Sequence, residues 1–364
     1  MRIGIFDPYL DDLGGGEKYM VNIAEILSQN NSVDIFWNNK EDLKKIAKRF
    51  SLDISRISLK ENIFSPKYPS YKRYWKTLKY DSVIALSDGS IPIVLSKKLF
   101  IHFQQPFPSI EPSFKNNLKK IRVNAFFCNS YFTKSFIDKE FGIKSKVIYP
   151  PVNIKSKNVK KEDIILNVGR FRVKDVTTRV RGSEVAIGDY KKQGVMVNVF
   201  KDLVKKGLKG WKFVIATSVN EDEKEIFGDF RKAVENYPIE FLVNKDNEEL
   251  WEIYSKAKIY WHASGVGEDL ENNPEYAEHF GISTVEAMGA GAVPIVINAG
   301  GQKEIVENKK NGFLWDNIEE LKKITLEMIN NAKLLVRLSK EAREVSKNFN
   351  KEKFSTEINN LILQ

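Results

Sequence analysis

The sequence predicts an α/β protein of two consecutive domains, each a parallel sheet covered by helices. Three observations carry that prediction. The chain has 364 residues, more than a single hydrophobic core usually serves. Short apolar β runs alternate with helical stretches in two successive series, the pattern of parallel sheets buried on both faces. A Pro-Pro step followed by a lysine-rich stretch separates the two series.

The first series opens with Arg2–Phe6 and a glycine-rich turn, Gly14-Gly15-Gly16. A helix is predicted from about Glu17 to Leu27, with Tyr19, Ile23, Ala24 and Leu27 on one face. Strands are predicted at Val33–Trp37, Ser82–Leu86, Lys98–Phe103, Ala125–Cys128 and Lys146–Tyr149. Pro150-Pro151 and the charged stretch Lys155–Asp163 then read as a linker, since such residues are poor core formers. The second series runs through Ile164–Val168, Phe213–Ala216, Ile239–Phe241, Ile259–Ala263 and Val293–Ile297. From Asn317 the tail is amphipathic and helical, ending in Leu361-Ile362-Leu363. The predicted domains are residues 1–155 and 156–340, with 341–364 a helical segment returning to the first.

Composition narrows the function classes. With 42% hydrophobic and 29% charged residues the chain is globular, not disordered. No apolar run reaches the ~18 residues of a membrane span, and the apolar start is broken by Asp7, so no secretory signal is read. The single cysteine, Cys128, forms neither an internal disulfide nor a cysteine-rich metal site. These features point to a cytoplasmic protein. The net charge of +10 favours an anionic partner: a phosphorylated small molecule, an anionic lipid surface or nucleic acid. Basic and aromatic residues mix most densely in Tyr71–Tyr80. That segment reads either as a membrane-surface element or as a solvated helix face with its aromatics turned to the core.

The most informative segment runs from Glu278 to Pro294. Glu278 and Glu286 stand eight positions apart across a Phe280-Gly281-Ile282 turn that leads into a helix beginning near Ser283. Free N–H groups at that helix start, with the positive end of its dipole, suit a diphosphate. One carboxylate then accepts from ribose hydroxyls and the other from a sugar. Gly300 and Gly301 let backbone approach the ligand where side chains would obstruct it.

This segment resembles the Glu-x7-Glu motif of the family 4 retaining glycosyltransferases. Other stretches match that family in order: Pro8 through Gly14-Gly15-Gly16-Glu17-Lys18, His102 in Ile101-His102-Phe103, Asn129–Lys134, Val147–Val152, Asn167–Phe171 and Asn311–Leu314. The motif and the glycine loop are also similar to those of mannosyltransferases that extend lipid-linked oligosaccharides on the cytosolic membrane face. The resemblance implies the GT-B fold, two Rossmann-like domains facing across a cleft. It implies metal-independent retaining transfer of a hexose, without a cofactor. The implied donor is a nucleoside diphosphate sugar, GDP-mannose favoured and UDP-sugars open. The implied acceptor is lipid-linked or a glycan, with the protein peripheral on an anionic membrane surface and no specific nucleic acid.

The resemblance also implies roles. Glu278 holds donor sugar hydroxyls, Glu286 the ribose, and Gly281, Ile282 and Ser283 the diphosphate. Arg170 and a lysine stabilise the leaving group. His102 contacts the donor sugar, and Gly15 and Gly16 admit donor phosphates or sugar. The lysine is displaced from the family spacing by an insertion at about 172–190. Lys192 is preferred because Gln193 and Val195–Phe200 resemble the start of the next helix, with Lys174 the runner-up. His262 reads as a structural strand-end residue, and His279 as one that packs or caps.

Other chemistries find little support. There is no P-loop, no His-Glu-x-x-His helix, and no Asp-x-Asp triplet of the kind that holds a divalent ion. Three scattered histidines and one cysteine predict no metal site. The competing classes are a non-catalytic protein binding anions, nucleotide sugars or nucleic acid, and a nucleotide-sugar epimerase.

Overall fold

A computed structural model describes residues 1–12, 14–107, 118–172 and 190–363. It divides into two units, Met1–Pro151 with Lys351–Gln364, and Val152–Asn350.

The first unit is a seven-stranded parallel sheet. Its elements are β1 (Arg2–Phe6), α1 (Gly15–Ser28), β2 (Ser32–Phe36), α2 (Lys40–Phe50), β3 (Ile57–Lys60), α3 (Ser70–Thr77), β4 (Ser82–Leu86), β5 (Lys98–Phe103), β6 (Ala125–Cys128), α4 (Tyr131–Phe141) and β7 (Lys146–Val147). The strand order is β3-β2-β1-β4-β5-β6-β7, so the sheet reverses direction of growth between β1 and β4. Ile5 of β1 sits opposite Ile35 on one side and Ile84 on the other. Such a strand is flanked on both edges and covered on both faces, which is why it is an unbroken apolar run. One face packs Ile3, Ile5 and Ile84 against Tyr19, Ile23 and Leu27 of α1, the apolar stripe read from the sequence. The other face gathers Val83, Ala85, Leu99, Ile101 and Phe103.

The second unit is a six-stranded parallel sheet in the order β10-β9-β8-β11-β12-β13. Here β8 is Glu162–Val168, α5 Gln193–Lys205, β9 Lys212–Thr217, α6 Lys224–Lys232, β10 Ile239–Val243, α7 Asn247–Lys256, β11 Ala257–His262, α8 Ile282–Gly289, β12 Val293–Ile297, α9 Gln302–Ile305, β13 Phe313–Trp315, α10 Ile318–Asn330 and α11 Ala332–Ser346. Its order reverses between β8 and β11. Phe200, Phe213, Trp261 and Trp315 fill the core, and Trp261 Nε1 finds Thr325 Oγ1 at 3.2 Å.

The last helix, α12 (Lys351–Ile362), belongs to the first unit. Phe354, Ile358, Leu361 and Ile362 enter its core, Phe354 meets the Tyr19 ring edge-on at 5.0 Å, and Lys351 pairs with Glu25 at 2.6 Å. The crossing comes at residue 351, later than the expected 341. Residues 341–350 stay with the second unit because α11 is tied to the turn after α8: Ser339 Oγ donates to the Gly291 carbonyl at 2.7 Å and Arg343 Nη2 to that of Ala290 at 3.2 Å. Strands β3 and β13 were not anticipated. Each lies at a sheet edge and is short: β3 alternates half-buried and exposed positions, and β13 has three residues with Phe313 and Trp315 buried.

Candidate active site

In open α/β sheets ligands bind beyond the carboxyl ends of the strands, where the strand order reverses. In the second unit that place lies after β8 and β11. The two strands are locked there by Asn167, buried at the end of β8, whose Nδ2 donates to the Trp261 carbonyl at 3.0 Å. Strand β11 then ends on His262, which is 2% exposed.

His262 faces Glu278. Its Nε2 lies 2.9 Å from Glu278 Oε2, and Lys191 Nζ reaches the same oxygen at 2.7 Å. Burial would raise the Glu278 carboxyl, but the Lys191 charge and the His262 hydrogen bond outweigh it and hold the group well below the ordinary carboxylate range. His262 is pushed below its ordinary value by burial, although Glu278 pulls the other way. A neutral imidazole has one N–H. With Nε2–H given to the carboxylate, Nδ1 is the bare nitrogen, and it is buried without a partner among the described residues.

The backbone around Glu278 is shaped by glycines. Gly300 has φ +59°, and a Cβ there would stand 2.3 Å from the Glu278 carbonyl oxygen; one on Gly301 would stand 2.4 Å from that of His279. The Gly301 N–H donates to the Glu278 carbonyl at 2.8 Å. Gly281, at φ +116°, makes the turn into α8, and its missing side chain leaves room for the Gln302 amide. An α-helix leaves its first N–H groups without intrahelical acceptors. Thr284 and Val285 N–H already reach the Gly281 carbonyl, at 3.0 and 3.2 Å, so the groups at the open end belong to Ile282 and Ser283. Ser283 Oγ receives the Tyr260 hydroxyl at 2.7 Å. One turn along, Glu286 Oε2 accepts from the buried Tyr254 hydroxyl at 3.0 Å. At the far end Lys161 Nζ caps the Ala257 and Ala290 carbonyls at 2.7 and 2.8 Å, fixing where α7 and α8 stop.

The strand-end arginine and the tandem lysines arrive from the other side. Gly169 N–H donates to Ala216 and Phe171 N–H to Ser218, which places half-buried Arg170 at the mouth of β8. A Cβ on Gly169 would meet Lys191 Cγ at 3.2 Å, so these two segments lie against each other. Lys192 adopts a left-handed φ of +55°, uncommon for a side chain of this size, and heads α5. Its ammonium pairs with Glu268, both side chains being largely buried.

Residues 185–345 match the family model of Glycosyl transferases group 1. The second unit carries a group 1 glycosyltransferase domain. The family match covers Glu278, helix α8 with Glu286 on it, and both lysines. Among curated relatives, the GDP-Man:Man(3)GlcNAc(2)-PP-Dol alpha-1,2-mannosyltransferase of Dictyostelium discoideum is 25% identical over 229 residues, 60% of this chain and 42% of that protein. The protein of the same name from Xenopus laevis is 26% identical over 195 residues, 48% and 35% of the two chains. The chain thus spans less than half the length of these relatives. Among solved structures, a glycosyltransferase from Rickettsia africae has TM-score 0.75 at 17% identity, covering 99% of this chain and 98% of its own. Anabaena Alr3699/HepE, solved in complex with UDP, has TM-score 0.71 at 16% identity over 99% of both chains. These likenesses show the GT-B fold.

Within this domain the structure brings Glu278, Gly281, Ile282, Ser283, Glu286, Gly300 and Gly301 together. It sends Lys192 to Glu268 and puts Lys191 against Glu278. Lys174 and residues 173–189 of the expected 172–190 insertion lie outside the described residues. Sequence reasoning missed Lys191, Tyr254, Tyr260 and Gln302, and read His262 as structural. The last carried a signal, since it ends the central strand that delivers the site.

His102, Gly15 and Gly16 lie in the first unit. His102 is fully buried, stacked on Tyr19 at 4.1 Å and on Phe127 at 4.7 Å. Its Nδ1 faces the Phe127 carbonyl at 3.2 Å and its Nε2 the Gln104 amide at 2.8 Å. Burial lowers its pKa to about 4. A ring so placed is a core histidine that holds Gln104, and Gln104 Cγ in turn lies 3.3 Å from where a Gly16 Cβ would be. The glycine loop is tied down by Glu17, whose carboxylate accepts from the Gly14 N–H.

Proposed function

We propose that this protein transfers a hexose, with retention and without a metal ion, from a nucleoside diphosphate sugar to a hydroxyl of a lipid-linked or glycan acceptor. The observation that carries the reading is the pairing of two carboxylates with one helix start. Glu278 and Glu286 flank the Ile282 and Ser283 N–H groups, held by His262 and Tyr254 respectively. An anion receptor with a hydroxyl acceptor on each side has the chemical outline of a sugar nucleotide.

In this reading the diphosphate takes the N–H groups of Ile282 and Ser283 and the positive end of α8. Glu278 receives sugar hydroxyls, its Oε1 being the oxygen that neither His262 nor Lys191 uses. Glu286 receives the ribose. As the bond from the anomeric carbon to the phosphate oxygen breaks, Arg170 and Lys192 stabilise the charge on the departing diphosphate. The acceptor oxygen bonds to the same face of that carbon and its proton passes to the leaving diphosphate. Gly15 and Gly16 give a ligand access to backbone in the first unit, and His102 acts there by holding Gln104. Mannose, GDP and a lipid-linked acceptor are favoured by the names of the curated relatives.

The test is calorimetric titration with GDP, UDP, GDP-mannose and UDP-glucose. Tightest binding of the guanosine pair, weakened about tenfold or more by Glu286→Ala, is expected. Preference for the uridine pair would move the donor assignment, and no binding of any of the four would overturn the reading.

A further inference from the structure

Helix α3 presents Tyr71, Trp75 and Leu78 at i, i+4 and i+7, one stripe of its surface, and they are 64%, 73% and 48% exposed. Of the two sequence readings of this segment, the one with its aromatics turned to the core holds for Tyr80, buried against Phe36 of β2 with its hydroxyl on Asp34 at 2.7 Å, and in part for half-buried Tyr74. On the opposite side of α3, Arg73 Nε donates to the Ile93 carbonyl at 2.9 Å and Leu95 N–H to Thr77 Oγ1 at 3.0 Å, which ties that face of the helix to the 93–95 strip and leaves the Tyr71, Trp75 and Leu78 stripe outward.

Cations surround this patch. Lys67, Lys76 and Lys79 are exposed beside it, Lys72 and Arg73 are half-buried, and no acidic residue occurs from Ser65 to Tyr80. Glu61 reaches in from β3's end to pair with Lys72 at 2.9 Å. Lys79 titrates below its ordinary value, first through desolvation and then through the charges of Arg2 and Lys76, against the pull of Asp34.

Contiguous exposed apolar surface marks a contact site, and charge chooses the occupant. The cores of protein interfaces are depleted in lysine, whereas aromatic rings among lysines suit the headgroup level of a bilayer. We propose that this face, Tyr71, Trp75 and Leu78 with Lys76 and Lys79, docks the protein on an anionic lipid bilayer. The rings enter the headgroup region and the ammonium groups sit over lipid phosphates. The proposal stands apart from the donor assignment, because none of these residues lies in the nucleotide site.

Co-sedimentation of the purified protein with phosphatidylserine–phosphatidylcholine vesicles tests it, with pure phosphatidylcholine as the neutral comparison. Binding is expected to the mixed vesicles only, falling with added salt. The pair Tyr71→Ala and Trp75→Ala should lower partitioning at least about tenfold, and Lys76→Glu with Lys79→Glu by a similar factor. Fluorescence locates the contact. Trp211, Trp251, Trp261 and Trp315 are buried and Trp37 is half-buried with its indole N–H on Asp42 at 2.9 Å, so most of the quenching by brominated lipid should be lost in Trp75→Phe, which retains an apolar ring. Absence of binding to anionic vesicles, equal binding to neutral ones, or binding unchanged in both double variants would overturn the proposal. So would self-association in solution that Trp75→Ala abolishes, which would make a second copy the occupant.

Discussion

Lys191 Nζ and His262 Nε2 converge on one oxygen of Glu278, at 2.7 and 2.9 Å. Because Glu278 titrates below its ordinary 4.5, its contribution to stability is complete above that pH and is lost as pH falls towards the depressed value. Lys191→Met should therefore cost about 1–3 kcal/mol at neutral pH by stranding a mostly buried carboxylate, with the deficit closing below pH 4.5. Urea unfolding at pH 7 and pH 3.5 reads this directly. A constant deficit at both would show that the ammonium contributes packing alone. Glu278→Gln should leave the fold intact and lower transfer by about 100-fold or more.

The cradle under Glu278 makes a second prediction. Gly300→Ala meets both a positive φ and a carbonyl oxygen 2.3 Å from the new carbon. Backbone must move, at about 2–4 kcal/mol. Gly207 has φ +101° with open space around it, so Gly207→Ala bears only the conformational cost of about 1 kcal/mol. Thermal unfolding of the pair separates steric conflict from φ strain, and nucleotide binding should fall in the first variant only.

These two cases show what a sequence reveals about such a site. The Glu278–Glu286 spacing is legible because both residues lie on one continuous stretch, where a glycine turn and a helix start fix their separation. The lysine is not. Lys191 and Lys192 are neighbours in sequence, yet the left-handed φ at Lys192 sends them to different carboxylates, Glu278 and Glu268. No periodicity reports a single φ value, and Glu268 lies in a loop without a pattern. The sheets were legible from their central strands, whose apolar runs have no competing reading. The short strands β3 and β13 were not: four residues of alternating exposure and three residues after a glycine turn are too few to show a period.

The insertion carries its own prediction. Tyr190 N–H donates to the Arg172 carbonyl at 3.3 Å, so the two ends of the insertion lie side by side. Replacing 173–189 by a short glycine linker should keep the thermal midpoint within a few degrees, since loop closure depends weakly on length. GDP affinity within about threefold of the parent would make Lys174 dispensable and leave the diphosphate to Arg170 and Lys192. Loss of GDP binding in a folded variant would assign the insertion to the site.

Asp7 directly follows β1 at the reversal point of the first sheet. One oxygen accepts the Tyr9 N–H at 2.9 Å, and the other is buried with no partner among the described residues. Burial, and then the charge of Glu17, raise the carboxyl to about 8. The folded state therefore holds a proton that the unfolded state releases above its ordinary 3.8, and stability is lost as pH rises between those values. Asp7→Asn keeps the acceptor and removes the titration. It should stabilise the protein by at least about 1 kcal/mol at pH 8 and do nothing favourable at pH 4, as followed by urea midpoints. A gain independent of pH would mean that the titration of Asp7 is not its source.

His102 behaves with the opposite sign. Its pKa falls from 6.5 to about 4 on folding, so the unfolded chain takes up a proton that the core refuses. Stability then drops as pH falls through this window, by up to about 3 kcal/mol. His102→Asn retains a donor for the Phe127 carbonyl without the titration. The variant should start less stable at pH 7.5, having lost the stacking on Tyr19, and gain on the parent as pH approaches 4. Function separates structure from positioning. If the ring works by holding Gln104, then His102→Asn and Gln104→Ala lower the transfer rate by similar factors, and the double variant is no worse than either. GDP affinity should be unchanged in all three. Additive losses would instead require His102 to leave its stack and touch the sugar itself, which a fully buried ring with both nitrogens engaged does only after the glycine loop rearranges.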